Sequence, residues 1–164
     1  MGPMDYARLP LRKYAKFSGR ARRAEYWWYT LAILIAYVIA SILDNLLGMS
    51  GMVGGAYGPL TALLALGTLV PSLAVAVRRL HDTNRRGWWL LIFLAPYLIL
   101  GFVTGLAAAQ GNATGALASA GLLSLVILVL GITLLVFLVL DGTRGDNRFG
   151  PDPKAQERRV ADLA

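Results

Sequence analysis

Arg78-Arg79-Leu80-His81-Asp82-Thr83-Asn84-Arg85-Arg86-Gly87-Trp88-Trp89 is the only concentration of charge between about residues 26 and 140. Apolar runs flank it on both sides, broken by one carboxylate, Asp44. Those runs are too long and too uniform to be left in water. The stretch therefore reads as a polar connection between membrane spans.

Composition agrees. The 164 residues are 57% hydrophobic and 15% charged, with a mean hydropathy of +0.58 and a net charge of +7. Soluble domains run at about 45–50% apolar. A soluble chain with so few charges would expose large apolar patches and aggregate, and a bilayer removes that problem. The length suits one domain. Without cysteine there is no disulfide and no thiolate metal site.

Working outward, four apolar stretches fit spans at about 26–47, 60–77, 88–109 and 117–140. A helix needs about 20 residues at about 1.5 Å each to cross the hydrocarbon core. The expected fold is all-α, an integral membrane bundle of four transmembrane helices occupying 26–140. A basic segment, 1–25, precedes it and a polar tail, 141–164, follows. Residues 6–17 read either as a short interfacial helix, with Pro10 in its first turn, or as a solvated basic tail. Ser18 is a candidate N-cap for the first span. Five glycines between Gly48 and Gly58 mark a flexible turn. Pro71 should free the carbonyl four residues before it and kink the second span. A short terminal helix over 156–163 is a further candidate.

Charge sets the orientation. Of sixteen lysines and arginines, seven precede the first span, four lie in the central stretch and five follow the fourth span. The other two turns carry none. The positive-inside rule then predicts both termini and the central stretch in the cytoplasm. Trp27-Trp28 and Trp88-Trp89 start the first and third spans, where indole rings prefer the interface. Each pair follows two arginines, which hints at a repeated hairpin. The plainer explanation is that any helix start on the inner side collects Arg and Trp.

Three segments resemble motifs of domain-of-unknown-function family 805, the YhaH-like bacterial inner-membrane proteins. They are Phe17-Ser18-Gly19-Arg20-Ala21-Arg22-Arg23-Ala24-Glu25-Tyr26-Trp27, the Arg78–Asp82 stretch with Gly87-Trp88, and Gly142-Thr143-Arg144-Gly145-Asp146-Asn147-Arg148-Phe149-Gly150-Pro151-Asp152. The resemblance implies a multi-pass protein of the bacterial cytoplasmic membrane with four helices. It supplies no activity and no catalytic residue.

The residues themselves give a candidate face. Arg22, Arg23, Arg78, Arg79, Arg85 and Arg86 should gather at one interface beside the four tryptophans, their planar forks suited to phosphate. The expectation is binding of anionic lipid headgroups or of a larger membrane-protein complex, with a homo-oligomer as another form of partnership. Glu25, His81 and Asp82 are expected to form a structural salt-bridge network. Trp27, Trp28, Trp88 and Trp89 serve as interfacial anchors. His81-Asp82 invites an enzymatic reading, but neighbours on a helix point about 100° apart. One histidine and no cysteine cannot make an ordinary zinc site, so no metal or cofactor is expected. A transporter should carry ionisable groups mid-membrane. Here only Asp44 lies within a span, near its outer end, so a small transporter or channel formed by oligomerisation is the alternative. A membrane enzyme using His81 and Asp82 ranks below it. The spans exclude soluble nucleic-acid binding. Tyr37, Thr68, Tyr97 and Thr133 lie at similar depth and are expected to share hydrogen bonds between helices. Gly101 and Gly105 fit close helix contact.

Overall fold

Residues 2–53 and 57–155 are described in the computed structural model, with backbone alone at 108, 113, 115–119 and 122. Among them are five helices and no strand. The candidate terminal helix over 156–163 and part of the glycine turn, 54–56, lie outside the described residues.

Helix α1 spans Pro3–Arg12 and starts earlier than its basic pattern predicts. Pro3 occupies the first turn, where a missing N–H does no harm. Asp5 accepts from the Gly2 N–H at 3.0 Å and sets a negative charge on the positive helix end. Pro10 therefore falls in the last turns, not the first. Ala7 and Pro10 are buried. Met4 and Ala7 line a cavity of about 330 Å³ with Trp28, Leu31 and Ile35 of α2.

Helix α2 spans Arg23–Leu46, α3 Pro59–Asp82, α4 Trp89–Ala109 and α5 Ala113–Val139. Three of these, α2, α3 and α4, are long and apolar enough to cross a membrane. In α5 the stretch Leu123–Val139 is also apolar. Ser18 does not cap α2. Arg22 stands at that position in extended conformation, because the Ala21 N–H is tied to the Arg78 carbonyl at 2.9 Å. Helix α3 does not stop where its apolar run stops: Arg78 to Asp82 are its last turn, and the connection is only 83–88. The charged turn stays helical because its charges are met: Glu25 of α2 pairs with Arg78, and Asp82 pairs with Arg79 of its own turn and with Arg20.

Pairing is by hairpins. α2 packs along α3 and α4 along α5, while the two hairpins touch through few residues. Leu34, Ile42, Leu66, Leu98, Phe102 and Leu128 all face outward. That is the apolar surface a bilayer covers. The inside is the polar part: Arg78 and Arg79 are the largest fully buried side chains.

Pro71 has the predicted effect on hydrogen bonding, and a partner takes it up. The freed carbonyl is Gly67, and the Tyr14 hydroxyl donates to it at 2.8 Å. Beside it, Tyr29 OH and Ser72 Oγ lie 3.0 Å apart.

At the far end of α2–α3, Asp44 turns inward instead of reaching an open interface. It is buried and caps α3, accepting from the Leu60 N–H at 3.0 Å, the Thr61 N–H at 2.9 Å and the Thr61 hydroxyl at 2.7 Å. Gly58 makes room, since a Cβ there would stand 2.2 Å from Asp44 Cγ.

The expected hydrogen-bond belt is half made. Tyr37 OH lies 3.4 Å from Thr68 Oγ1. Tyr97 is exposed, and Thr133 bonds the Val129 carbonyl of its own helix. The separation of the hairpins at this depth keeps those two from α2 and α3. Among the described residues Gly101 and Gly105 mediate no close contact: a Cβ at either would meet none of them within 4 Å.

Candidate functional site

The last turn of α3 gathers two distant segments. From before α2, Arg20 donates Nε–H to Asp82 Oδ1 at 2.9 Å, and its other nitrogens reach the carbonyls of Gly145 at 2.7 Å and Thr143 at 2.6 Å. Arg79 donates to the second oxygen of Asp82. From after α5, Thr143 returns its N–H to the Asp82 carbonyl at 2.9 Å. Gly142 is required by this closeness, because a Cβ there would sit 2.2 Å from Asp82 Oδ2.

Arg79 also serves α5. The last carbonyls of a helix have no partner within it. Arg79 Nε–H donates to the Leu138 carbonyl at 3.0 Å and Nη2 to that of Leu140. Arg23 reaches the Val139 carbonyl between them at 3.3 Å. Positive charge at the negative end of a helix is favourable. Asp141 follows, 2.7 Å from Lys154 Nζ and 3.3 Å from Arg23. The Lys154 hydrogen bond holds the Asp141 carboxyl below the ordinary carboxylate range.

Glu25 makes a second pair. It is buried, accepts from Arg78 Nη1, and has Lys13 Nζ at 3.7 Å from its other oxygen.

His81 takes no part in these ion pairs. Its ring stacks on Phe149, centroids 3.9 Å apart and planes within 3°, and Nδ1 lies 3.1 Å from the Gly19 carbonyl. Asn147 donates to the His81 carbonyl at 3.0 Å. The Arg148 guanidinium lies 4.8 Å from the Phe149 centroid and donates to the Asn84 carbonyl at 2.8 Å. His81 and Asp82 thus face different partners, as adjacent helical positions do.

A family profile described as protein of unknown function, DUF805, matches residues 14–151. The chain belongs to the DUF805 family. Inner membrane protein YhaH of Escherichia coli K12 is 35% identical over 153 residues, covering 93% of this chain and 99% of its own length. Inner membrane protein YhaI of the same strain is 36% identical over 144 residues, covering 88% of this chain and 91% of its own. No solved structure matches. With its membrane-length apolar helices, the chain is a bacterial inner-membrane protein of this family.

The six candidate arginines divide. Arg78 and Arg79 are both buried, drawn in by Glu25 and Asp82, which would otherwise be uncompensated charges. Arg22 touches the Tyr6 hydroxyl at 2.9 Å. Arg85 lies over Phe137, 3.8 Å from the ring centroid, and is half-buried. Arg23 and Arg86 are exposed. Trp27, Trp28 and Trp88 are exposed as well, whereas Trp89 meets Phe137 edge-on at 5.8 Å. Sequence reasoning passed over Arg20, the residue that ties all three segments together. Among seven basic residues before the first span nothing distinguishes it except its position one residue after Gly19, whose φ of 88° turns the chain.

Proposed function

We propose that the chain crosses the membrane four times with both termini in the cytoplasm, and acts as a non-enzymatic accessory protein whose basic rim holds anionic lipid headgroups. The carrying observation is the division of the arginines. Arg20, Arg78 and Arg79 build the interior of the cytoplasmic end, and Arg23, Arg85 and Arg86 are left around it beside Trp27, Trp28 and Trp88. Arginine forks match phosphate, and basic groups at that depth contribute about 1 kcal/mol each toward an anionic leaflet.

Topology draws support from the same cluster. The approach to α2, the end of α3 and the exit of α5 meet around Asp82, so the three basic segments share one end. The start of α4 meets the end of α5 through Trp89 and Phe137. At about 1.5 Å per residue, α5 is about 40 Å long, enough for a fourth crossing. The divergence of His81 and Asp82 supports a non-enzymatic role.

Purification in mild detergent followed by native mass spectrometry tests the rim. Arg85→Glu with Arg86→Glu should strip most co-purified phosphatidylglycerol and cardiolipin. Undiminished lipid would overturn the reading. Cysteine labelling tests orientation: Ser50→Cys should react from outside the cell and Asn84→Cys from inside, and labelling of both from one side would overturn the topology.

A further inference from the structure

Two buried carboxylates at the cytoplasmic end, Asp82 and Glu25, are each shared by two cations. Asp82 serves Arg20 and Arg79, and Glu25 serves Arg78 and Lys13. The two sets differ in what the remaining donors do. Arg20 directs its other nitrogens to the Gly145 and Thr143 carbonyls, and Arg79 directs its own to Leu138 and Leu140. Arg78 has no such outlet. Among the described residues only its Nη1 is engaged, and Nε and Nη2 are buried with no hydrogen-bond partner.

Orphaned guanidinium donors are costly. A buried donor without a partner destabilises the fold, and more so when charged. The two orphans are also a matched pair. Nε–H and the neighbouring Nη2–H project side by side from one edge of the planar group, which is the fork that grips two oxygens of a carboxylate or phosphate. Glu25 cannot supply both oxygens while Oε1 stays on Nη1 and Oε2 faces Lys13.

We propose that this fork of Arg78 is a binding site for one phosphate-type oxyanion, brought by an anionic phospholipid headgroup or as free phosphate. Lys13 supplies the second cation. Exposure rises along the series, from 1% at the Arg78 side chain through 5% at Glu25 to 36% at Lys13. The way in therefore passes Lys13, whose 3.7 Å approach to Glu25 is too long for a strong hydrogen bond and is readily given up. Two oxyanion oxygens on Nε and Nη2, and a third toward Lys13, would satisfy every donor left over here. This site deepens the proposed headgroup reading by naming one saturable position distinct from the exposed rim.

The test uses the full chain in detergent, stripped of lipid, with native mass spectrometry as readout. The probes are phosphatidylglycerol and inorganic phosphate, offered separately. At saturation wild type should retain one bound phosphate, or one phosphatidylglycerol beyond those held by the rim. Arg78→Lys keeps the charge but lacks the fork and should weaken that binding about tenfold or more. Glu25→Gln removes the competing carboxylate and should tighten it. Binding of phosphatidylglycerol but not phosphate assigns the lipid source, and binding of both assigns the phosphate group alone. Retention equal in wild type, Arg78→Lys and Glu25→Gln would overturn the site. If Arg78→Lys does not fold, Glu25→Gln decides alone, and unchanged retention there refutes the proposal. Loss on rim reversal at Arg85 and Arg86 with no effect of Arg78 or Glu25 would leave the rim standing and this site refuted. The converse pattern would do the opposite.

Discussion

Removing Asp44 should unfasten the start of α3 without touching the arginine cluster at the other end. The carboxylate receives three donors, two backbone and one hydroxyl, all within 3.0 Å. Loss of an ordinary N-cap costs about 0.5–2 kcal/mol. Here one buried side chain takes three donors, so Asp44→Ala should cost about 2–3 kcal/mol, while Asn, which keeps one acceptor oxygen, should cost about 1 kcal/mol. Gly58→Ala offers an independent route to the same loss, because its Cβ would press on Asp44 Cγ from 2.2 Å and expel the carboxylate. The two changes must then be strongly non-additive. Asp44→Ala should be neutral or slightly stabilising in the Gly58→Ala background, since the cap is already gone and the crowding eases. Hydrogen exchange at the Leu60 and Thr61 amides in detergent reads the effect, with acceleration of roughly 30- to 150-fold expected for Asp44→Ala. Unchanged exchange at those amides, or full additivity in the cycle, would refute the capping role.

Tyr14→Phe should destabilise by about 1 kcal/mol by leaving the Gly67 carbonyl without its donor, and should be near neutral when Pro71→Ala restores the helical N–H; thermal unfolding of the four variants checks both. Gly142→Ala should drive Asp82 and the 141–152 segment apart at a cost of about 1–3 kcal/mol, read as faster exchange of the Thr143 amide. Asp141 is held below the ordinary carboxylate value of about 3.9, chiefly by Lys154, so its pairing is intact above that pH and fades as pH falls through the lowered value. Lys154→Gln should move its titration upward when followed by carboxyl carbon NMR.

Much of the fold is legible in the sequence, because span length and the placement of basic residues are one-dimensional properties. The limits of that legibility are physical. α4 and α5 are apolar all round, with no polar stripe to show which side meets a neighbour. Their failure to engage Tyr37 and Thr68 through Tyr97 and Thr133 therefore left no mark in the pattern. The end of α3 was obscured for the opposite reason. Charge usually ends a span, yet Arg78 to Asp82 continue the helix because Glu25, Arg20 and Thr143 arrive from far along the chain. For the candidate site, residue type identified the right neighbourhood but not the assignments within it. Arg20, Arg78 and Arg79 are chemically identical to Arg23 and Arg86, and only the position of two carboxylates sends the first three inside.

Arg79 is the test of how the two hairpins are joined. Along most of their length they scarcely touch, and the strongest polar link between them is Arg79, which leaves α3 to hold the last carbonyls of α5. Arg79→Lys preserves the charge opposite Asp82 but cannot span both the Leu138 and Leu140 carbonyls, because an ammonium lacks the planar fork. Losing two charge-assisted bonds should cost roughly 2–4 kcal/mol. That cost should fall on the joint rather than on either hairpin. Spin labels at the exposed Leu66 and Leu98 report the distance between hairpins, and labels at Ile39 and Leu66 report the inside of one. Arg79→Lys should broaden the first distance distribution and leave the second as it is. Broadening of both would mean that Arg79 supports α3 itself. Broadening of neither would mean that the bonds of Arg20 and Arg23 to the 139–145 segment suffice to hold the hairpins together.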